Sequence, residues 1–427
     1  MLSALDAAIL WDWLALAARW LHIITAIAWI GSSFYFIALD LGLRKPRVTS
    51  EGVHGEEWQV HGGGFYHVQK YLVAPPALPD HLTWFKWESY STWLSGLALM
   101  MIIYWAGAEF YLIDRGKLDL ELWQAIGISA LSLTIGWLVY DFLCRSRLGN
   151  SPTALMVLLF VLLVVMSWGY DQIFTGRAAL LHIGAFTATI MTANVFLVII
   201  PNQKIVVADL KAGKSPNPEF GRIGKLRSTH NNYLTLPVIF LMMSNHYPLT
   251  FATEYNWIIC SLVFLMGVTI RHYFNTLHAR KGHPHWTWAL TALIFIVIMW
   301  LSALAPPGAD AITDETRAET ATFHAADTEL AMLHSIVATR CTVCHSATPS
   351  WGNLQWPPKN IILETEEQIL HLAREVYLQS GMSIAMPPAN LTGMTPAERA
   401  LVRAWHRNLR GREWDSISGG SDRQQAR

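Results

Sequence analysis

Runs of about twenty apolar residues, the length that crosses a hydrocarbon core, recur through the first three hundred positions. They fall at about 13–39, 89–107, 121–143, 153–170, 178–200, 232–250, 255–275 and 286–305. This pattern predicts a bundle of eight membrane-spanning helices over residues 1–305, with an all-α fold. Two runs are imperfect. The sixth contains Pro237 and ends among Asn245, His246 and Pro248, and the seventh runs into Arg271 and His272, so seven spans is the alternative. A short likeness between Leu21-His22-Ile23 and Leu181-His182-Ile183 suggests two halves of four spans in parallel orientation.

The pattern changes after 305. Pro306-Pro307-Gly308 opens a stretch rich in Ala, Thr, Asp and Glu that reads as a linker over 306–322. Residues 323–410 then read as a small soluble helical domain. Asp327 to Thr339 predicts one helix. Glu366 to Gln379 predicts a second, with Thr365 and Gln368 spaced as a capping box. Thr395-Pro396-Ala397-Glu398 opens a third, with a capping Thr, Pro in the first turn and Glu at the third position. The tail 411–427 is polar and Gly-rich and reads as disordered.

Composition supports the membrane reading. Of 427 residues 52% are hydrophobic and only 15% charged, with 20 Trp, a balance too apolar for a soluble enzyme. No basic patch with interleaved aromatics occurs, which sets nucleic-acid binding aside. The start lacks a basic leader region, and Asp6 and Asp12 precede the apolar core, so it reads as an uncleaved first span. Positive residues concentrate in alternate loops: Arg44, Lys45, Arg47, Lys70 and Lys86, then Arg145 and Arg147, then six between Lys204 and Arg227, then Arg280 and Lys281. By the positive-inside rule those loops are cytoplasmic, and both termini face outward. In a bacterial inner membrane the C-terminal domain is then periplasmic.

The strongest chemical signal is Cys341-Thr342-Val343-Cys344-His345. Two thiols three apart followed by histidine form a c-type haem attachment motif: Cys341 and Cys344 bond the porphyrin and His345 ligates its iron. A zinc site needs about four ligands, and the remaining cysteines, Cys144 and Cys260, lie in distant apolar runs. Met386, in Gly381-Met382-Ser383-Ile384-Ala385-Met386-Pro387-Pro388, resembles the axial-ligand loop of class I cytochromes c, with Met382 and Met394 as rivals. The likeness implies one covalent haem c in a class I cytochrome c domain.

Ionisable groups within spans are costly and rarely idle. His22 and His182 are therefore candidate ligands for haem b, against the alternative of hydrogen-bonded helix-packing histidines. The stretch His22 to Tyr35 resembles the first helix of the membrane protoporphyrinogen oxidase family, which implies the haem b role for His22. The cytoplasmic ends of the spans add Glu88, His230, Arg271 and His272 as candidate catalytic groups. Trp84, Trp87, Gln203, Asn231 and Asn232 are candidate substrate contacts. Each could equally be a solvated span-end residue. The run His61-Gly62-Gly63-Gly64 is too loose to name a phosphate loop.

Leu78-Pro79-Asp80-His81-Leu82-Thr83-Trp84-Phe85-Lys86-Trp87-Glu88-Ser89-Tyr90-Ser91-Thr92-Trp93-Leu94-Ser95-Gly96, followed far downstream by the haem motif, resembles the bacterial membrane-bound urate oxidases over essentially the whole chain. The resemblance implies oxidation of urate to 5-hydroxyisourate in purine catabolism. Electrons would leave through haem c to soluble cytochrome c or another respiratory acceptor, without forming peroxide. It carries no residue roles for the membrane part. The chemistry itself asks for an Arg or His for the anion, an amide for the ring edge and an aromatic for the face, with Glu88 or a nearby His as base. The rival is a quinol or other small-donor:cytochrome c oxidoreductase with haem b. A plain membrane anchor explains the fewest features.

Overall fold

One helix, α1 (Ala7–Gly42), opens the fold, and no charged residue interrupts it between Arg19 and Asp40. Apolar side chains all round a helix suit lipid, not water, as the surrounding medium. Leu14, Trp20, Ile23 and Ile27 are accordingly exposed on it. The computed structural model describes residues 7–46, 52–71, 75, 78–304, 329–351, 354 and 356–418. The linker read at 306–322 lies outside the described residues, as do 419–427 of the tail.

After α1 the chain forms a hairpin of β1 (Val53–His61) and β2 (Gly64–Tyr71), a departure from the all-α expectation. Its turn is Gly62-Gly63, with φ of 59° and 80°. A two-residue turn with both central φ positive matches strand twist and favours glycine. The run His61 to Gly64, weighed above as a phosphate loop, is this turn.

The helical bundle follows: α2 (Trp87–Leu99) with a π-helical extension (Met100–Trp105), α3 (Ala108–Tyr111), α4 (Leu122–Arg145) and α5 (Pro152–Ile173). Next come α6 (Gly176–Ala193), a π-helical segment (Asn194–Ile199), α7 (Ile200–Lys211) and α8 (Pro218–Ser244). The bundle ends with α9 (Pro248–Phe251), α10 (Asn256–His278) and α11 (Trp286–Ala303). Among the described residues, six helices are long and apolar enough to cross a membrane: Ile9–Gly42, Leu122–Arg145, Pro152–Ile173, Gly176–Lys211, Asn256–His278 and Trp286–Ala303. The other two stretches read as spans, 89–107 and 232–250, fall in helices that do not meet that standard. The first is divided between α2 and its π-helical extension. The second is the end of α8, whose beginning carries Arg222, Lys225, Arg227, His230, Asn231 and Asn232. Five of the six cations read above as a loop between Lys204 and Arg227 thus belong to helices, Lys204 and Lys211 to α7 and Arg222, Lys225 and Arg227 to α8.

Close helix approach depends on two glycines. A Cβ on Gly136 of α4 would meet the Phe186 ring of α6 at 1.8 Å, and one on Gly267 of α10 would meet the Pro237 ring of α8 at 2.5 Å. The Pro237 ring of α8 packs against α10 because Gly267 offers no side chain there. Tyr104, Tyr140, Tyr170, Phe174, Phe186, Leu241 and Phe264 share the bundle core.

The C-terminal unit contains α12 (Glu329–Arg340), α13 (Thr342–His345), α14 (Glu366–His371), α15 (Ala373–Val376) and α16 (Pro396–Ser418). The capping box of Thr365 and Gln368 is present in both directions. So is that of Thr395 and Glu398, at 2.7 and 3.2 Å. Glu398 also accepts from Arg340 at 3.0 Å, locking the end of α12 to the start of α16. Leu333, Ile336, Ile369, Val402 and Trp405 form its core. The helix α16 continues past the boundary read at 410. This unit touches the bundle where the Ile384 amide donates to the Ala252 carbonyl at 3.1 Å and Ala385 packs on the bundle core.

Gly267→Val should overpack the α8–α10 contact and cost about 1–3 kcal/mol. A lower thermal midpoint in detergent, with Gly127→Val at an open position as the unaffected control, checks this.

Candidate functional site

The first turns of α8 are polar and largely exposed; burial begins at Arg227, and from there each side chain's direction follows from its place on the helix. Arg227, His230 and Asn231 stand three and four apart and share one face, directed at α4 and the π-helical segment after α6. Arg227 donates to Asp141 at 2.5 Å and to Asn194 Oδ1 at 3.2 Å, and its guanidinium lies 5.0 Å from the Tyr140 ring. Asn194 Nδ2 donates to Tyr140 Oη at 3.1 Å and to Asn231 Oδ1 at 3.0 Å. Asn231 in turn donates to the Met191 carbonyl at 2.9 Å. Tyr140 and His230 Nδ1 are 2.8 Å apart, while His230 Nε2 is buried without a partner. Asp141 also accepts from Arg145 at 2.7 Å.

Asn232 faces the other way, toward α10. Its Oδ1 accepts from Arg271 Nε at 3.4 Å and from Asn275 Nδ2 at 2.9 Å, and Arg271 Nη2 donates to Asn275 Oδ1 at 3.2 Å. The Arg271 guanidinium sits 4.3 Å from the centre of the Phe34 ring of α1. Arg271 is a buried cation whose partners, two amides and a benzene ring, carry no negative charge. Asn232 Nδ2 is buried and unsatisfied beside it. A buried charge of this kind is poised for an anion bearing hydrogen-bond acceptors.

The expected constellation is therefore divided. His230 and Asn231 lie on one face of α8, and Asn232 and Arg271 on the other. Gln203, Trp87 and His272 are exposed; Lys86 covers the Trp87 ring at 5.5 Å and His272 packs on Trp286 at 6.1 Å. Trp84 and Glu88 are half-buried at the start of α2. Phe34, Tyr140, Asp141, Asn194, Arg227 and Asn275 were not foreseen. The i, i+3, i+4 spacing of Arg227, His230 and Asn231, and Asn275 four residues after Arg271, were the available signals.

The two intramembrane histidines differ. His22 Nδ1 donates to the Thr92 carbonyl at 2.9 Å, which assigns the tautomer leaving Nε2 with its lone pair. The ring rests on Gly96, where a Cβ would come within 2.9 Å. His182 has no free nitrogen. Nδ1 donates to the Ala178 carbonyl at 2.8 Å and Nε2 accepts from Ser129 at 2.7 Å, with Ser129 accepting from Trp105 at 2.9 Å. Fully buried against Phe174, Tyr170 and Tyr104, it does not fit a haem ligand as built; His22 does.

In the C-terminal unit Cys341 is the N-cap of the single turn α13, and Cys344 and His345 lie on it. His345 Nδ1 donates to the Ile361 carbonyl at 3.0 Å, again leaving Nε2 for a metal, the orientation that second-shell bonds give ligating histidines. Burial pushes the Cys341 thiol up to about 12 and raises that of Cys344. Met386 lies in a loop whose carbonyls at Ser380 and Met386 both accept from Arg399, at 2.9 and 2.8 Å. Desolvation lowers the Arg399 guanidinium to about 10. Met394 is packed in the core with Leu333 and Trp405, whereas Met386 is partly exposed. Among the described residues, no three His, Cys, Asp or Glu side chains converge to hold a metal ion, so the Cys pair has no further zinc ligands there. Cys341, Cys344 and His345 are the residues that would hold a covalent haem, with Met386 as a further candidate ligand.

Residues 8–302 match the family described as Urate oxidase N-terminal. The chain belongs to that family. No curated protein and no solved structure matches it. The Urate oxidase N-terminal match takes in α1 and both polar faces of α8, and it stops short of Cys341.

Asp141→Asn should leave Arg227 buried without its counter-charge and destabilise the bundle by about 3–5 kcal/mol. Combining Arg227→Met with Asp141→Leu should recover most of that loss, read as folded protein on size exclusion after graded heating.

Proposed function

We propose that this protein oxidises urate at the Arg271 side of α8 and passes the electrons to a covalent haem c in the C-terminal unit. The observation that carries the reading is the buried Arg271, with neutral partners, inside a bundle of the Urate oxidase N-terminal family. Urate is a planar anion edged with amide-like groups. Arg271 would take its charge, Asn232 and Asn275 its edge and Phe34 its face. A neutral quinol would leave the guanidinium uncompensated, which favours urate over the quinol reading.

The reaction balances as urate monoanion plus one water giving 5-hydroxyisourate, one proton and two electrons. His230, bonded to Tyr140, lies on the opposite side of the same helix, so a proton would reach it by relay and not directly from urate at Arg271. Glu88 is the other candidate base. Haem c, when bound, accepts electrons one at a time. Cys341 and Cys344 would hold it, His345 would ligate through Nε2, and Arg399 would steady the loop carrying Met386. Soluble cytochrome c or another respiratory acceptor would then receive the electrons.

We read the bundle as eight helices in an inner membrane, with α2 and α8 spanning while screened from lipid by their neighbours. The helix ends bearing Arg271 and Arg227 face the cytoplasm, and the end touched by Ile384 faces the periplasm. From Asn232 to Ser244 along α8 is ~18 Å at 1.5 Å per residue, a separation that calls for a relay. A haem b on His22 would supply one.

Adding urate without oxygen or other reductant should raise a reduced c-type α-band in the purified protein; reduction by a quinol but not by urate would favour the rival. Arg271→Gln should lower the second-order rate of that reduction about 30-fold, the equivalent of about 2 kcal/mol, with the dithionite-reduced spectrum unchanged.

A further inference from the structure

The hairpin after α1 runs in an unexpected direction. Gly55 packs on Leu43 and Glu57 on Gly42. Further along β1, Gln59 accepts from the Tyr35 hydroxyl at 2.7 Å. On β2, Lys70 pairs with Asp40 at 2.5 Å. As β1 advances from 55 to 59, its partners on α1 recede from 43 to 35. The strand thus travels back along the helix it has just left.

Asp40 marks where α1 leaves the apolar layer. The uncharged stretch between Arg19 and Asp40 is ~30 Å long at 1.5 Å per residue, which equals the thickness of a hydrocarbon core. Lys70 meets Asp40 at that level, and Gln59 already lies beyond it. The turn at Gly62-Gly63 is about 10 Å further along the strand, at ~3.4 Å per residue.

The residues sort accordingly. Glu56, Glu57 and Lys70 sit at the base of the hairpin, whereas no Asp, Glu, Lys or Arg occurs between Trp58 and Val68. Strand alternation puts Gly55, Glu57 and Gln59 against α1 and turns Trp58, Val60 and Phe65 away from it. These three are 61%, 72% and 78% exposed. Trp58 also stacks on His67 across the strands, 4.3 Å between ring centres. An uncharged, outward-facing aromatic tip at bilayer depth has one medium that suits it.

We infer that this hairpin is a membrane wedge, seated tip-first in the headgroup–acyl boundary of the leaflet around the C-terminal end of α1. Its occupant is lipid. The open edges of a two-stranded sheet cannot be satisfied in hydrocarbon. Gln59, at Tyr35, is ~8 Å inside the Asp40 level at 1.5 Å per residue. From there the tip runs along the interfacial zone, where aromatic side chains prefer to lie, and goes no deeper. The charged base remains in water and the Lys70–Asp40 pair holds the depth. The inference rests on α1 spanning the membrane but not on the substrate or the haem.

Spin labels on Phe65→Cys and Val60→Cys, in a Cys144→Ser background reconstituted in phosphatidylcholine–phosphatidylglycerol nanodiscs, test it. Collision with oxygen should exceed collision with a water-soluble nickel chelate at both tip positions. The order should reverse for His54→Cys at the exposed base. Nickel dominating at the tip would put the hairpin in water and overturn the inference. Exclusion of both reagents would show a protein partner on that face and overturn it too. Two independent tip labels guard against one variant failing to fold.

Discussion

The buried contact between Arg227 and Asp141 is the constraint on which the rest of the bundle depends. A cation carried on a helix into an apolar interior must be met by charge and by hydrogen-bond acceptors, or the helix cannot stay there. Asp141 supplies the charge from α4, Asn194 the acceptor from the end of α6, and Tyr140 the aromatic face. These demands fix the rotation of α8 about its axis. Once Arg227, His230 and Asn231 are directed at α4 and α6, Asn232 has to face α10 and meet Arg271. The arrangement of one polar face therefore determines the other.

That coupling explains why the sequence was read well in some places and poorly in others. The apolar runs of α1, α4, α5, α6 and α11 were legible because lipid exposure imposes composition over twenty residues at a time. The capping boxes at Thr365 and Thr395 were legible because they are local. Arg222, Lys225 and Arg227 read as loop because a polar helix end lacks the apolar run that marks a span. The Gly62-Gly63 hairpin was within reach of turn chemistry. Its alternation was masked by the run His61 to Gly64, which drew attention to a phosphate loop.

The candidate site shows the same division. His230, Asn231, Asn232 and Arg271 were singled out in the sequence, and all four are buried in the bundle. That they form two clusters instead of one follows from helix geometry, since Asn231 and Asn232 are ~100° apart. Likewise His22 and His182 look alike in sequence, each following a leucine and preceding an isoleucine. Only their neighbours, Gly96 for one and Ser129 for the other, separate an imidazole with a free nitrogen from one fully engaged.

The contact between Ile384 and Ala252 joins the C-terminal unit to the bundle through main-chain atoms alone. A backbone donor and acceptor are present whichever side chains occupy the two positions. That hydrogen bond is thus indifferent to the side chains at the two positions, and proline at 384 is the one residue that would remove its donor. The Ala385 side chain, packed on the bundle core beside it, is the part of the join that sequence drift can alter.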